Sequence, residues 1–438
     1  MEPDLLWSRR LQRATGIYSL GWLLLANLVG LWLATLLVWP GAGKWVGELT
    51  YGRWMPLHMD WQLYGWCSLP LVGLLMSFFL KSGDGAEVHL GFLSWSTALV
   101  VGGALSLLGV VSGKLFLNWA GVGRVVFPAA QVLLWGILVA ASWRRWRTCR
   151  RWDRVQSLHA VLLIVLLASP IALFLTSGSE TYPPIDPESG GATGHSLLAS
   201  SLGMIGIFGI LPWVLRVPRV GAGRKIVRVY AGAFIVSLGI WAVLDHGNAS
   251  NRSIGQNLGL GVLLGWVPLT LAYYRAFAWQ GAIRRWLWAF LFWWGLLTLT
   301  GFITFLPGVL DWLKFTNGLV AHAHLAMAGM VSALNMLILG SLGKSGKGDP
   351  WADASAFWIW QVGTLLYVVS MMVQGVREGL DPTVLFGPNP TTEVFYRFRW
   401  FAGVLLVSAN LRWIYCLARG WLVRPVVAEV LVKGVCRG

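Results

Sequence analysis

Two histidines lie two residues apart in an apolar segment that is long enough to cross a membrane. Leu319 to Met330 reads LVAHAHLAMAGM, with His322 and His324 in its first half. Each residue of an α-helix advances by about 100°, so these side chains point about 200° apart and cannot bind the same metal ion. Histidine at membrane depth is rare and usually faces a functional interior, although neighbouring helices can also satisfy an imidazole. The spacing therefore predicts two centres, one on each side of a shared helix.

The composition indicates a polytopic membrane protein. Of 438 residues, 56% are hydrophobic and 12% are charged, against about 25% charged residues in soluble domains, and the mean hydropathy is +0.65. The first apolar segment is longer than a signal-peptide core and lacks a small-residue cleavage site, which predicts an uncleaved span. The net charge is +16, and the basic residues lie in short loops between apolar segments. Membrane topology explains this distribution better than nucleic-acid binding does. We therefore expect contact with membrane lipid and no nucleic-acid partner.

Twelve apolar segments have spanning or near-spanning length. They are Gly16–Trp39, Leu57–Leu80, Leu90–Val111, Val125–Ser142, Leu158–Leu175, His195–Leu215, Val227–Leu244, Leu258–Phe277, Trp286–Phe305, Leu319–Gly340, Phe357–Val373 and Phe401–Leu417. No repeat, low-complexity tract or soluble domain interrupts them. The sequence predicts an all-α bundle of about twelve transmembrane helices that forms a single membrane domain over residues 1–438.

The basic residues alternate from loop to loop. The two termini and the even-numbered loops hold 24 of the 34 Lys and Arg residues, and the odd-numbered loops hold 9. Because Lys and Arg accumulate in cytoplasmic loops, both termini are expected to be cytoplasmic. The regular alternation also agrees with the count of twelve spans.

This topology places most histidines at one depth. Five of the seven lie at the outer ends of their spans: His58, His195, His246, His322 and His324. His89 and His159 begin spans on the cytoplasmic side and are expected to be interfacial. Neutral imidazole is a common ligand of haem iron and copper, and separate helices with 29 tryptophans suit planar porphyrins. A metal cluster near the outer face is therefore predicted, whereas a transporter would more typically show an internal repeat and broken helices.

The sequence resembles subunit I of the haem–copper oxidases, closest to the C-family (cbb3-type) branch and the nitric oxide reductase large subunits. TYGRWMPLHMDWQLYGW is similar to the second-helix segment and implies that His58 is an axial ligand of the low-spin haem. FTNGLVAHAHLAMAGM is similar to the tenth-helix motif and implies His324 as the opposite ligand of that haem and His322 as the proximal ligand of the high-spin haem. ATGHSLLASSLGMIGIFGILPWVL resembles the sixth-helix segment, in which the histidine, here His195, binds copper.

The second-metal half of the resemblance departs from the family pattern. LDHGNAS contains one histidine, His246, beside Asp245 where the family has a histidine pair, and FIVSLGIWAVLDHG lacks the tyrosine of C-family oxidases. Ala199 stands where the related nitric oxide reductases carry a glutamate. His195 and His246, with Asp245 or Asn248, could still hold copper or non-haem iron. Asp245 is equally well explained as a surface residue, so the sequence leaves open whether a second metal is bound.

The resemblance implies a respiratory oxidoreductase of the cytochrome c oxidase or nitric oxide reductase class with two haem b groups. Electrons would pass from a cytochrome c-type subunit, a soluble cytochrome c or a quinol to oxygen or nitric oxide. The chain has no CxxCH, so it attaches no c-type haem itself. Arg53 is either a partner of a haem propionate or an ordinary interfacial arginine. The expected location is the bacterial inner membrane, with the metal sites toward the periplasm.

Two other functions remain compatible with the sequence. One is a non-catalytic haem protein, an electron-transfer or gas-sensing subunit that has lost the second metal. The other is a transporter, which would contain no haem. Metal content separates the three: two haems with copper or iron favour a reductase, and haem alone favours the non-catalytic subunit.

Overall fold

The computed structural model describes residues 2–114, 116–147, 153–221, 223–343, 346, 348–385 and 389–435, with the backbone alone for 2–5, 154, 385 and 420–435. Within these ranges the chain is helical and forms no strand, apart from the isolated bridges Ile185↔Ala192 and Arg219↔Phe277. Part of the basic fourth loop, residues 148–152, lies outside the described residues.

Twelve helices of the described chain are long and apolar enough to cross a membrane, which confirms the predicted all-α polytopic fold. Numbered as spans 1 to 12 in chain order, they are Leu6–Val38, Tyr51–Phe79, Gly85–Leu107, Gly123–Trp146, Val155–Thr176, Gly194–Val214, Gly223–Val243, Ile254–Arg275, Ile283–Phe305, Asn317–Ser341, Ala354–Leu380 and Pro390–Arg419. The protein is thus a multi-pass membrane protein.

Several helices differ from the sequence-based boundaries or lie outside the spans. The first helix covers Glu2–Val38 and the last covers Pro390–Val435. Spans 11 and 12 run deeper into the eleventh loop than their apolar segments predict, so Arg377 and Arg399 are helical residues. The short elements are the helix Val309–Leu313 and the 3₁₀ turns Pro40–Val46, Pro350–Ala352 and Pro382–Leu385.

Spans 2 and 10 each contain a π-helical segment. Span 2 consists of the α-helix Tyr51–Asp60, the π-helix Trp61–Cys67 and the α-helix Leu69–Phe79. Span 10 consists of the α-helix Asn317–His324, the π-helix Leu325–Val331 and the α-helix Ser332–Ser341. Single π-helical turns within α-helices are rare and frequently mark functional sites. Each of these segments begins just after a histidine that is a candidate ligand.

The chain divides into two compact units. Unit 1 comprises Met1–Thr181, Asn335–Gly363 and Trp400–Gly438, and unit 2 comprises Tyr182–Leu334 and Thr364–Arg399. The core of unit 1 includes Trp119 stacked on Phe127 with ring centroids 4.3 Å apart. Unit 2 holds a tyrosine cluster in which the rings of Tyr230 and Tyr273 lie 4.2 Å apart. The single membrane domain expected over residues 1–438 stays a prediction.

Candidate functional site

His58 lies in the second turn of span 2 and packs against span 1. Its Nδ1 atom is 2.8 Å from the carbonyl oxygen of Ala26. A carbonyl only accepts, so the imidazole donates its Nδ1 proton and keeps the lone pair on Nε2. A Cβ atom at Gly30 would lie 2.6 Å from Cε1 of the ring. Span 1 therefore fixes both the tautomer and the plane of this imidazole.

His324 has the same protonation pattern by a different route. Its Nδ1 atom lies 2.8 Å from the carbonyl oxygen of Val320, one turn earlier in its own helix. The lone pair is again on Nε2. Tyr367 of span 11 stacks on the ring, with centroids 4.0 Å apart and an angle of 23° between the planes.

His322 contacts span 9. Its Nδ1 atom lies 3.2 Å from the hydroxyl of Thr300, and that hydroxyl donates its own proton to the carbonyl of Leu296 at 2.8 Å. The imidazole is therefore the donor at Nδ1, and the lone pair is on Nε2. A Cβ atom at Gly301 would approach Cε1 to 3.1 Å. The rings of His322 and His324 thus contact spans 9 and 11, in agreement with the opposite directions expected from their spacing.

The three candidate haem ligands share one chemical state. In each of them Nδ1–H donates a hydrogen bond to an oxygen atom, and a metal would bind through the lone pair of Nε2. Metal-ligating histidines usually donate the second ring N–H to a carbonyl or another oxygen, which fixes the tautomer and raises ligand basicity. His58, His322 and His324 therefore fit axial ligation of haem iron.

The two π-helical segments are built alike. In unit 1, a Cβ atom at Gly65 would lie 2.9 Å from Trp22 of span 1, and the hydroxyl of Ser68 donates to the carbonyl of Leu63 at 2.8 Å. In unit 2, a Cβ atom at Gly329 would lie 2.8 Å from Trp293 of span 9. There the hydroxyl of Ser332 donates to the carbonyl of Met327 at 2.8 Å.

This repeated construction has a physical reason. A π-helical turn widens the helix and displaces carbonyl groups from their usual partners, the amides four residues later. The hydroxyl of a serine five residues later supplies the replacement donor. The glycine lets a tryptophan of the neighbouring span approach the backbone. Each widened turn therefore begins within three residues after a candidate haem ligand.

The two candidate copper ligands in unit 2 are stacked. The rings of His195 and His246 lie 4.9 Å apart and within 7° of parallel. The lone pair of an imidazole lies in its ring plane, so parallel stacked rings do not aim their lone pairs at one position. His246 also donates from Nε2 to the carbonyl of Trp241 at 2.9 Å, and Nδ1 of His195 lies 2.9 Å from the hydroxyl of Thr193.

Asp245 completes no ligand set with these histidines. Its side chain is exposed, and Oδ1 accepts a hydrogen bond from the amide of Gly247 at 2.8 Å. Its main-chain carbonyl accepts from Gln256, whose own side-chain oxygen accepts from the amide of His195. Across the described ranges, no group of three or more His, Cys, Asp or Glu side chains is placed to hold a metal ion. This arrangement does not fit a three-ligand copper or iron site, and the metal roles of His195, His246 and Asp245 stay predictions.

Arg53 of span 2 contacts the last residues of span 3. Its guanidinium donates to the carbonyl of Leu107 at 2.9 Å, and the hydroxyl of Ser106 donates to the Arg53 carbonyl at 3.2 Å. It lies on the same helix as His58, five residues earlier. Its role toward a haem propionate stays a prediction.

The two remaining histidines occupy different surroundings. His89 is exposed, as an interfacial residue would be. His159 is 5% exposed and packs against Phe78 and Phe79, with ring centroids 4.5 and 4.6 Å away. An imidazole in this aromatic packing is a core residue of unit 1.

Unit 2 contains a buried polar network that the sequence did not predict. Glu378 is 1% exposed and Arg399 is 9% exposed, and both lie within spans. Charged residues at membrane depth usually indicate function. The segments GVREGL and YRFRWF contain these charges, but the sequence assigns them to a loop. The eleventh apolar segment ends before Glu378, and the twelfth begins after Arg399.

Comparison with known proteins finds a distant relative. No protein-family model matches the chain. The chain is similar to "Cbb3-type cytochrome c oxidase subunit CcoN1" of Stutzerimonas stutzeri, with 23% identity over 457 aligned positions that cover 92% of this chain and 94% of the relative. A similarity over nearly the full length of both chains, in a protein of twelve apolar helices, supports a relationship to the haem–copper oxidase subunit I family.

Proposed function

We propose that this chain is a subunit I-like respiratory protein that carries two haem b groups. His58 and His324 are the axial ligands of a low-spin haem, and His322 is the proximal ligand of a high-spin haem. Electrons pass from a cytochrome c or a quinol to oxygen or nitric oxide. The full-length similarity to a cbb3-type oxidase subunit supports this proposal.

The observation that carries the proposal is the shared state of three histidines. His58, His322 and His324 each donate a hydrogen bond from Nδ1–H to an oxygen atom. A neutral imidazole that donates from Nδ1 carries its lone pair on Nε2, the atom through which histidine binds haem iron. Haem iron with two histidine ligands exchanges electrons, whereas haem iron with one histidine keeps a position for a diatomic ligand.

The remaining residues serve these groups. Span 1 holds the ring of His58 through Ala26 and Gly30, and Thr300 orients His322. Arg53, five residues before His58 on the same helix, pairs with a haem propionate. Because the chain has no CxxCH, electrons arrive from a partner subunit or a soluble cytochrome c.

The alternation of basic loops supports a location in the bacterial inner membrane. With 24 basic residues on one side and 9 on the other, both termini are cytoplasmic. The candidate ligands then lie toward the periplasm, where an electron-donor protein can reach them.

One observation favours a second candidate function. His195 and His246 are stacked rather than convergent, which agrees with a haem protein that has no second metal. Such a subunit would transfer electrons or sense a gas without reducing it.

The test is to purify the full chain with its native partner subunits. A reduced-minus-oxidised spectrum, haem extraction and metal analysis together count the cofactors. Two b-type haems with a third metal support the oxidoreductase, and two b-type haems alone support the second candidate. A preparation without haem would contradict both.

A further inference from the structure

The helix that carries His322 and His324 begins at a buried carboxylate. Glu378 of span 11 is 1% exposed. Its Oε2 atom accepts from the amide of Asn317 at 2.7 Å, and its Oε1 atom accepts from the Asn317 side chain at 2.6 Å. Gln374 donates to the same Oε1 at 2.9 Å. Asn317 is the first residue of the helix, so the negative charge lies at the positive end of the helix dipole.

The backbones of spans 10 and 11 meet at this point. A Cβ atom at Gly375 would clash with the amide nitrogen of Gly318. No side chain fits there, so the two helices are in direct backbone contact, one turn from Glu378. The start of the helix is therefore fixed relative to span 11, which also carries Tyr367.

A buried guanidinium joins the same network. Arg399 is 9% exposed and donates to the side-chain oxygen of Asn317 at 3.4 Å. Its Cζ atom lies 5.5 Å from the ring centre of Tyr367, within the range of a cation–π interaction. Tyr367 in turn stacks on His324 at 4.0 Å.

We propose that Tyr367, Arg399 and Glu378 are positioning residues for His324 and set the reduction potential of the haem that it binds. The inference rests on the proposed function, because it takes His324 as a haem ligand. Tyr367 holds the imidazole plane by stacking. Arg399 supplies a positive charge and Glu378 a negative charge, and both side chains are hydrogen-bonded to Asn317.

The two charges have opposite electrostatic effects. A buried positive charge favours the reduced haem, which carries one positive charge fewer, and so raises its reduction potential. A buried negative charge favours the oxidised haem and lowers the potential. Loss of packing alone would have no reason to change the potential in opposite directions in the two cases.

The experiment measures the midpoint potential of the low-spin haem in the complex with its partner subunits. We expect Arg399→Met to lower this potential and Glu378→Gln to raise it, with Arg399→Lys close to wild type. Arg397→Met is the matched control, because Arg397 is on the same helix but its side chain is 65% exposed and pairs with Glu393. It should leave the potential unchanged.

The stacking is tested separately by electron paramagnetic resonance of the low-spin haem. Tyr367→Phe keeps the ring and should leave the g values unchanged. Tyr367→Leu removes the ring and should shift them, because the imidazole plane is no longer held. Unchanged g values in Tyr367→Leu would overturn the role of Tyr367.

The remaining outcomes separate this inference from the proposed function. If Arg399→Met and Glu378→Gln leave the potential unchanged, or move it in the same direction, the charge roles are wrong. If Arg399→Met does not accumulate in the membrane, the isosteric Glu378→Gln decides: a raised potential supports the inference and an unchanged one overturns it. If the wild type has no low-spin haem, or His324→Ala keeps it, the proposed function itself has failed.

Discussion

At the scale of single residues, three histidines have the same tautomer, and in each a different kind of oxygen atom accepts the hydrogen bond from Nδ1–H. His58 uses a carbonyl of a neighbouring span, His324 a carbonyl of its own helix, and His322 a threonine hydroxyl. The spacing of His322 and His324 predicts opposed directions because helical periodicity fixes them. The oxygen partners could not be predicted, since backbone carbonyls leave no mark in the sequence.

The haem assignments predict a specific loss of signal. We expect His58→Ala and His324→Ala each to abolish the six-coordinate low-spin haem spectrum, because each removes one axial ligand of the same iron. His89→Ala is the control: this histidine is exposed and should leave haem content unchanged. Survival of the low-spin spectrum in either ligand variant, or loss of a haem in His89→Ala, would refute the assignment.

Asp353 gives unit 1 a pH-dependent contact at the start of span 11. Its Oδ1 atom accepts from the amide of Ala356 and from Nε of Arg412, both at 2.8 Å. Burial alone would raise the pKa of Asp353, but these hydrogen bonds and the charge of Arg412 hold that pKa below its ordinary value of 3.8. The carboxylate therefore stabilises the fold fully above the ordinary pKa, and this stabilisation is lost as the pH falls through the lower folded pKa.

A substitution at this position should have a modest effect. We expect Asp353→Ala to lower the free energy of unfolding by about 1 kcal/mol at neutral pH, the usual cost of losing a helix N-cap. Asp353→Asn should cost less, because its amide oxygen still caps the helix. Thermal unfolding of the purified protein measures both variants. A difference between wild type and Asp353→Ala that persists undiminished in acid below the folded pKa would contradict the role of the carboxylate.

At the scale of elements, hydropathy predicts that spans 2 and 10 exist but not that each contains a π-helical segment. The sequence LAMAGMV is as apolar and as helix-compatible as its neighbours. The widened turn depends on contacts that are distant in sequence, such as Gly329 against Trp293, and on a serine bond to a carbonyl five residues earlier. Local propensity carries no information on either.

The close contact between spans 1 and 2 yields a prediction with a matched control. We expect Gly30→Ala to reduce or abolish the low-spin haem, because the new Cβ atom would lie 2.6 Å from the ring of His58. Gly21→Ala is the control on the same span, where a Cβ atom meets nothing within 4 Å. Alanine is also the better helix former, so Gly21→Ala should keep full stability. Absorption spectra and haem content of the two variants decide, and a normal spectrum in Gly30→Ala would refute the contact.

At the scale of the whole molecule, the number of spans follows from the sequence because membrane helices must satisfy their backbone internally and present apolar side chains to lipid. The ends of spans 11 and 12 do not follow. Glu378 and Arg399 lie inside these helices because Asn317 satisfies both groups, and Gln374 also bonds Glu378. A hydropathy profile assigns such charged residues to loops because it does not include their hydrogen-bond partners.

The second-metal region bears on what the molecule as a whole can reduce. LDHGNAS provides one imidazole where the resembling family has two, and span 7 lacks the tyrosine that serves C-family oxidases. Imidazole suits copper well, and a lone carboxylate or amide suits it less. The stacked rings of His195 and His246 agree with weak retention of a second metal.

We therefore expect this protein to be a poor oxygen reductase compared with a family member that carries the full ligand set. The haem on His322 should still bind carbon monoxide or nitric oxide, because its ligation by Nε2 depends on Thr300 and not on a second metal. The measurement is carbon monoxide binding followed by oxygen and nitric oxide consumption with a reduced electron donor, using protein purified with its native partners. Rapid oxygen turnover would refute the prediction. It would require Asp245, Asn248 or another residue to replace both the missing histidine ligand and the missing tyrosine. Slow turnover with intact carbon monoxide binding would place the loss at the second metal and leave the haem ligands as assigned.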